Sequence, residues 1–316
     1  MDWFGEGADG PLIAIRAVHF AATAVVAGSL VFRTVVAEPV LRGEQTAKLL
    51  RRQTLKVAWI GLAITIVSGV FWLLLQAPAM SGLPFAEAMT SDVLLTVLNQ
   101  TQFGLISEIR IFLAIILASC LAYDRLPPAH WFALAAALGL TAAIAWTGHA
   151  GSTAGEIGIL HLTADTLHLV AAAAWVGGLI SLVLLLAETR RDLAYASFAV
   201  AATQRFSTLG IASVGTLLLT GVVNAWILVG SFNALLVSDY GNVLTLKICL
   251  FVFMLAFAAV NRFLLTPRLA LTAAAEPQLT SLHQLARNSG IEIALGLTIY
   301  GIVGVLGTLH PAIHLM

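Results

Sequence analysis

Apolar and polar positions alternate along this chain in long blocks, with eight apolar runs separated by short polar ones. The runs lie near residues 12–36, 57–77, 104–123, 130–147, 159–187, 207–229, 242–265 and 289–309. Each is about 18 to 29 residues long, enough to carry a helix across a hydrocarbon core of roughly 30 Å. The pattern predicts an all-α polytopic membrane protein with eight transmembrane helices. Composition agrees, with 59% of the 316 residues hydrophobic and 10% charged, which is the balance of a bilayer protein. The first ten residues carry Asp2, Glu6 and Asp9 and no Lys or Arg. That is not a cleavable signal, so the first run is expected to stay in the membrane.

Charge changes the picture by giving the helices a direction. The connection at 37–56 holds Arg42, Lys48, Arg51, Arg52 and Lys56, whereas 78–103 holds no Lys or Arg. Arg125, then Arg190, Arg191 and Arg205, then Arg268 and Arg287 fall on the side of the first basic loop. Residues 148–158, 230–241 and 310–316 have no Lys or Arg. Because cytoplasmic loops collect Lys and Arg, both termini are expected on the non-cytoplasmic side.

The chain also repeats itself. HFAATAVVAGSL at 19–30 matches HLVAAAAWVGGL at 168–179, and FGLISEIRIFL at 103–113 matches YGNVLTLKICL at 240–250. Thr147-Gly148-His149 falls on Thr308-Leu309-His310. Three matches in the same order predict two pseudo-symmetric parallel four-helix halves, 1–147 and 148–316, related by an axis along the membrane normal. On this reading His19 faces His168, His149 faces His310, and Arg16 lies at the depth of Asp165 and can pair with it. Arg110 and Lys247, also counterparts, are read as interfacial anchors.

Candidate chemistry concentrates between Trp146 and Leu179. His161, Asp165 and His168 are spaced four and three residues apart, on one helical face, with Trp175 two turns further along. His149 precedes them. Ionisable groups inside a span are costly and mark function. Of eight histidines, His130 and His283 belong to the basic side, and His19, His149, His161, His168, His310 and His314 to the other half. Imidazoles bind copper, zinc, nickel and iron, and a neighbouring carboxylate can ligate or orient them. The candidate metal residues are therefore His19, His149, His161, Asp165, His168 and His310. Met80 and Met89 and the isolated Cys120 and Cys249 are read as packing residues, the cysteines as buried small hydrophobes. Glu292, one turn inside the last run, is placed on an exit path or beside Arg287.

The segments RAVHFAATAVVAGSLVF, GHAGS, HLTADTLHLVAAAAWVGGL, LTGVVNA, YGNVLTLKICLFVFMLAFAAVNRFLLTPRL and VGVLGTLHP, in this order, resemble the copper resistance protein D (CopD) family of bacterial inner-membrane proteins. The resemblance covers most of the chain. It implies eight helices in an inner membrane, so that the side of both termini is the periplasm, with copper as the cargo, movement from periplasm toward cytoplasm, and a separate periplasmic CopC-like carrier as partner. No GxxxxGK[ST] loop is present, which argues against nucleotide-driven pumping. Neither catalysis nor a nucleic-acid partner is expected. The rival reading is an electron-transfer protein holding haem b between paired histidines, His19 with His168 or His149 with His310.

Overall fold

In the computed structural model, the described residues are 10–271 and 275–315, with 271, 275–277, 314 and 315 described by their backbone alone. Asp2, Glu6, Asp9 and the side chain of His314 lie outside the described residues. Eight helices are long and apolar enough to cross a membrane: α1 Gly10–Val40, α2 Glu44–Ser81, α3 Gln102–Ala122, α4 Ala129–Thr147, α5 Gly155–Arg191, α6 Leu193–Val229, α7 Asp239–Ala270 and α8 Gln278–Leu306. No strand occurs among the described residues. Each expected span is present. Several helices run beyond the apolar stretch, α2 starting at Glu44 and α6 at Leu193, because hydropathy registers the lipid slab and a helix can continue past it as a charged rod. The connection at 78–103 is not a plain loop. It folds into short helices Phe85–Ala88 and Ser91–Gln100.

The eight helices are unequally placed. In α1 83% of the most apolar window is buried, in α7 only 6%, so α1 is the central post and α7 a lipid-facing wall. α1 packs on α2, α4, α5 and α8, and the pairs α3–α4, α5–α6 and α7–α8 close the bundle. Where α1 crosses α5 the backbones touch. A Cβ on Gly28 would lie 2.1 Å from the Ala173 carbonyl oxygen, and one on Gly177 2.1 Å from that of Ala24. Only glycine permits this approach.

Two helix caps have the same form. Thr101 caps α3 by accepting from the Gly104 N–H while its hydroxyl donates to Val97. Ser238 caps α7 in the same way, accepting from Gly241 N–H and donating to Ala234. Such caps satisfy otherwise unpaired helix-end groups.

At the end of the bundle that carries the basic loops, Asp124 sits between Arg33 and Arg51, its side chain only 2% exposed. Arg33 also bonds Glu38 at 2.9 Å. This cluster ties α1, α2 and the end of α3 together. Both cysteines are free, and Cys249 is exposed on α7 rather than buried, since that helix turns most of its surface to lipid.

Candidate functional site

The histidine stretch of α5 lines a cavity of about 380 Å³ built mostly from α5–α8, with Arg16 and Phe20 of α1 and Ile144 and Thr147 of α4 completing its wall, in the part nearer the chain ends. His149, His161, Asp165 and His168 all open onto it, joined by Asn224 from α6 and by Tyr240 and Lys247 from α7. The cavity exists because α6 and α7 pack closely only near Thr266–Leu271, at their far end, and diverge toward the chain-end face.

Hydrogen bonding decides what these imidazoles can do. His168 Nδ1 lies 2.9 Å from Thr220 Oγ1, whose single hydrogen is given to the Thr216 carbonyl at 2.6 Å. The hydroxyl can then only accept, so Nδ1 carries the ring proton and Nε2 keeps its lone pair. His161 is held alike. Its Nδ1 is 2.8 Å from Thr153 Oγ1, which donates to the His149 carbonyl at 3.0 Å. His149 has the opposite tautomer, because its Nε2 faces the Leu306 carbonyl at 3.3 Å and a carbonyl only accepts. Two histidines on one helix thus keep a basic Nε2, in rings fixed by hydroxyl contacts of the kind that orient metal-binding imidazoles.

His19 has the same anchoring in the other half. Its Nδ1 is 2.9 Å from Ser68 Oγ, which donates to the Ile64 carbonyl at 2.6 Å. The ring lies over Gly69 as His168 lies over Gly221. Its surroundings differ, however. Trp72 packs at 5.3 Å from the His19 ring and 5.2 Å from Phe103, and the Arg110 guanidinium stacks 5.4 Å from Trp72. Trp72 follows Ser68 by four residues, as Asn224 follows Thr220. The indole occupies the space beside His19, whereas the smaller Asn224 lines the cavity with His168.

Several expectations are corrected by these positions. His19 does not line the cavity, and no ring contact joins it to His168 among the described residues; the two rings are hydrogen-bonded to α2 and α6 respectively. His310 is exposed and also outside the lining, so it does not oppose His149 there. Arg16 makes no ion pair with Asp165. It donates to the Gly307 carbonyl at 2.9 Å and stacks near Phe20 and Trp72. Asp165 instead accepts from Asn224 at 3.2 Å, and Lys247 is the cation acting on it electrostatically. Arg110 and Lys247 turn inward rather than reaching the interface. Among the described residues no three His, Cys, Asp or Glu side chains converge closely enough to hold one metal ion together. Ser68, Thr153 and Thr220 were missed in the sequence, although the recurring Ser-Gly-Val and Thr-Gly-Val triplets were a signal.

Comparison with known proteins decides the family. The copper resistance protein D model matches residues 200–306, and the model for the copper resistance protein D-like N-terminal domain matches 7–159. Inner membrane protein YebZ of Escherichia coli (strain K12) is 30% identical over 300 residues, 95% of this chain and 98% of that protein. The chain belongs to the copper resistance protein D family. Copper resistance protein D of Pseudomonas syringae pv. tomato is 29% identical over 265 residues, 80% of this chain and 82% of that one. Copper transport protein CutJ of Bacillus subtilis (strain 168) is 33% identical over 239 residues, 71% of this chain but 41% of that protein. No solved structure matches significantly. Membership of the copper resistance protein D family makes this a copper-related, multi-pass membrane protein; haem finds no support in these matches.

Proposed function

We propose that this protein carries copper across the bacterial inner membrane, taking it up from the periplasm through the histidine-lined cavity. The observation that supports this most is the pair His161 and His168, both with a basic Nε2 on the face of α5 that opens on the cavity, with Asp165 between them. Two-ligand stations in series suit conduction, because a cation held by four converging ligands would enter and not leave. His149 receives the ion near the cavity mouth, and Asp165 compensates its charge. The absence of three converging ligands among the described residues is compatible with copper as cargo.

Direction rests on the loops. The cavity lies toward the chain-end face, whose connections lack Lys and Arg, and the opposite face carries the basic ones. The positive-inside rule makes the first of these periplasmic. A separate CopC-like protein delivers the metal there. The recurring caps, the hydroxyl-anchored His19 and His168, and the reciprocal Gly28–Gly177 crossing support descent from a duplicated four-helix unit. On that reading the second copy, 148–316, supplies the histidines of the open site, and the first adds Arg16, Phe20, Ile144 and Thr147 to its wall. His19 then belongs to a copy closed by Trp72.

Copper uptake into proteoliposomes, with copper bound per purified protein, tests the reading. His161→Ala and His168→Ala are expected to lower both at least tenfold. His130→Ala and His283→Ala should leave both near wild type. Wild-type uptake in the His161→Ala, His168→Ala double variant would overturn the proposal.

A further inference from the structure

Below the histidine cavity a second one, also about 380 Å³, lies between α5, α6, α7 and α8 toward the basic-loop face. Trp175 and Leu218 line both. Trp175 is 3% exposed and braced edge-on against Phe251 at 6.1 Å, so the indole is a partition between the two chambers. The second chamber contains different chemistry. Its polar lining comes from Thr203, Ser207, Asn261, Arg262, Ser289 and Glu292, with no histidine or sulfur among its lining residues.

Glu292 is 2% exposed, and no cation lies within ion-pairing distance of it among the described residues. The other titratable group lining the chamber, Arg262, is committed to α6 through the Ser207 carbonyl at 3.0 Å and hydroxyl at 2.6 Å. Asn261 donates its amide N–H to the Glu292 carboxylate and to Ser289 Oγ, while its own Oδ1 is buried without a partner. Acceptors are therefore in surplus. A carboxylate inside a membrane, unpaired and beside an unsatisfied carbonyl, is relieved by one small hard cation. Local backbone geometry builds the spot: Trp175 and Asn261 each sit in a π-helical turn, Ala173–Gly177 and Asn261–Leu265. Such turns interrupt helix register and are frequent at functional sites.

We propose that Glu292, with Asn261 and Ser289, is a proton-binding site distinct from the histidine chamber, with Trp175 as the partition between them. Oxygen donors disfavour copper, which prefers nitrogen and sulfur, and one carboxylate with one amide and one hydroxyl falls short of the roughly six oxygens that a hard metal cation takes, which leaves the proton. One O–H bond of a hydronium ion breaks as one forms to a carboxylate oxygen, leaving water, and release is the reverse, with no change of oxidation state. Moved in the opposite direction, the proton would offset the charge carried by the metal, and only that coupling rests on the copper reading above.

The test uses the purified full-length protein in lipid nanodiscs without copper, titrated from alkaline to acid pH while the infrared carbonyl band of protonated carboxylic acids is followed. A band that appears on acidification and is lost in Glu292→Gln is expected. Its absence in wild type, or its persistence in Glu292→Gln, overturns the proposal. Copper bound per protein should be unchanged in Glu292→Gln; a tenfold loss would make Glu292 a copper ligand and overturn the assignment to protons. Trp175→Phe removes the indole N–H turned toward the carboxylate and should shift the band. An unshifted band refutes that contact even if Glu292→Gln fails to fold. Failure of copper uptake in wild-type liposomes would sink the transport reading and leave the infrared result standing.

Discussion

Thr220→Val isolates the hydroxyl that fixes His168. Valine keeps the β-branched shape but can neither accept from Nδ1 nor donate to the Thr216 carbonyl. Two outcomes are open to the ring. If Nδ1 keeps its proton, a half-buried donor loses its acceptor at a cost of about 1 to 3 kcal/mol. If the proton moves to Nε2, that loss is avoided but the lone pair leaves the nitrogen available to copper. Either way copper at His168 should weaken by about 10- to 100-fold, the usual effect of removing an orienting partner. That factor corresponds to about 1.4 to 2.8 kcal/mol, of the same size as the lost hydrogen bond. Thr220→Ser, which restores the acceptor, should recover most of the affinity. Ser68→Ala, the same operation on His19, should leave copper affinity unchanged, because His19 lies outside the cavity. Competitive titration of detergent-purified protein against a copper chelator measures all three. Wild-type affinity in Thr220→Val, or no recovery in Thr220→Ser, would refute the argument.

In a double-mutant cycle on thermal stability, Asp165→Asn and Lys247→Met should couple by about 1 kcal/mol, whereas Asp165→Asn and Arg16→Gln should add; equal coupling in both cycles would mean the charge partner is misassigned. Asp124→Asn removes the charge shared by Arg33 and Arg51 and should cost about 3 kcal/mol. A change below about 1 kcal/mol in its unfolding free energy would show the cluster to be well solvated. Trp72→Ala should open the first half and destabilise by about 3 to 5 kcal/mol, without adding copper uptake; near-wild-type stability would show that Trp72 is not a filler.

The eight spans were legible because a bilayer imposes one length and one polarity on every crossing, and runs of Leu, Ile, Val and Ala report both. In the segments HFAATAVVAGSL and HLVAAAAWVGGL, aligned in the sequence as a repeat, Gly28 and Gly177 meet at the α1–α5 crossing. Partners were harder. Equal depth placed Arg16 beside Asp165, but side-chain pairing depends on how each helix is rotated, and in the fold Arg16 bonds the Gly307 carbonyl while Asp165 accepts from Asn224. His19 resembled His168 in every local respect. What separates them is Trp72, whose indole fills its site from a helix that the histidine motif does not include. Thr153 and Thr220 passed unnoticed because membrane helices use many hydroxyls to satisfy their own carbonyls, and only geometry shows which also meet an imidazole.

The Gly28–Gly177 crossing sets the kind of movement available to this bundle. With carbonyl oxygens of one helix lying where side chains of the other would be, the two backbones cannot slide past each other or come closer. Any tilt of one helix on the other would have that point as its fulcrum. His168 sits nine residues along α5 from Gly177, a lever arm of about 14 Å at the rise of a helix. Tilting by about 10° would therefore carry its imidazole about 2 Å. Trp175, two residues from the fulcrum, would hardly move. The histidine-bearing end of the helix is thus the part such a tilt would displace, and the partition the part it would leave in place.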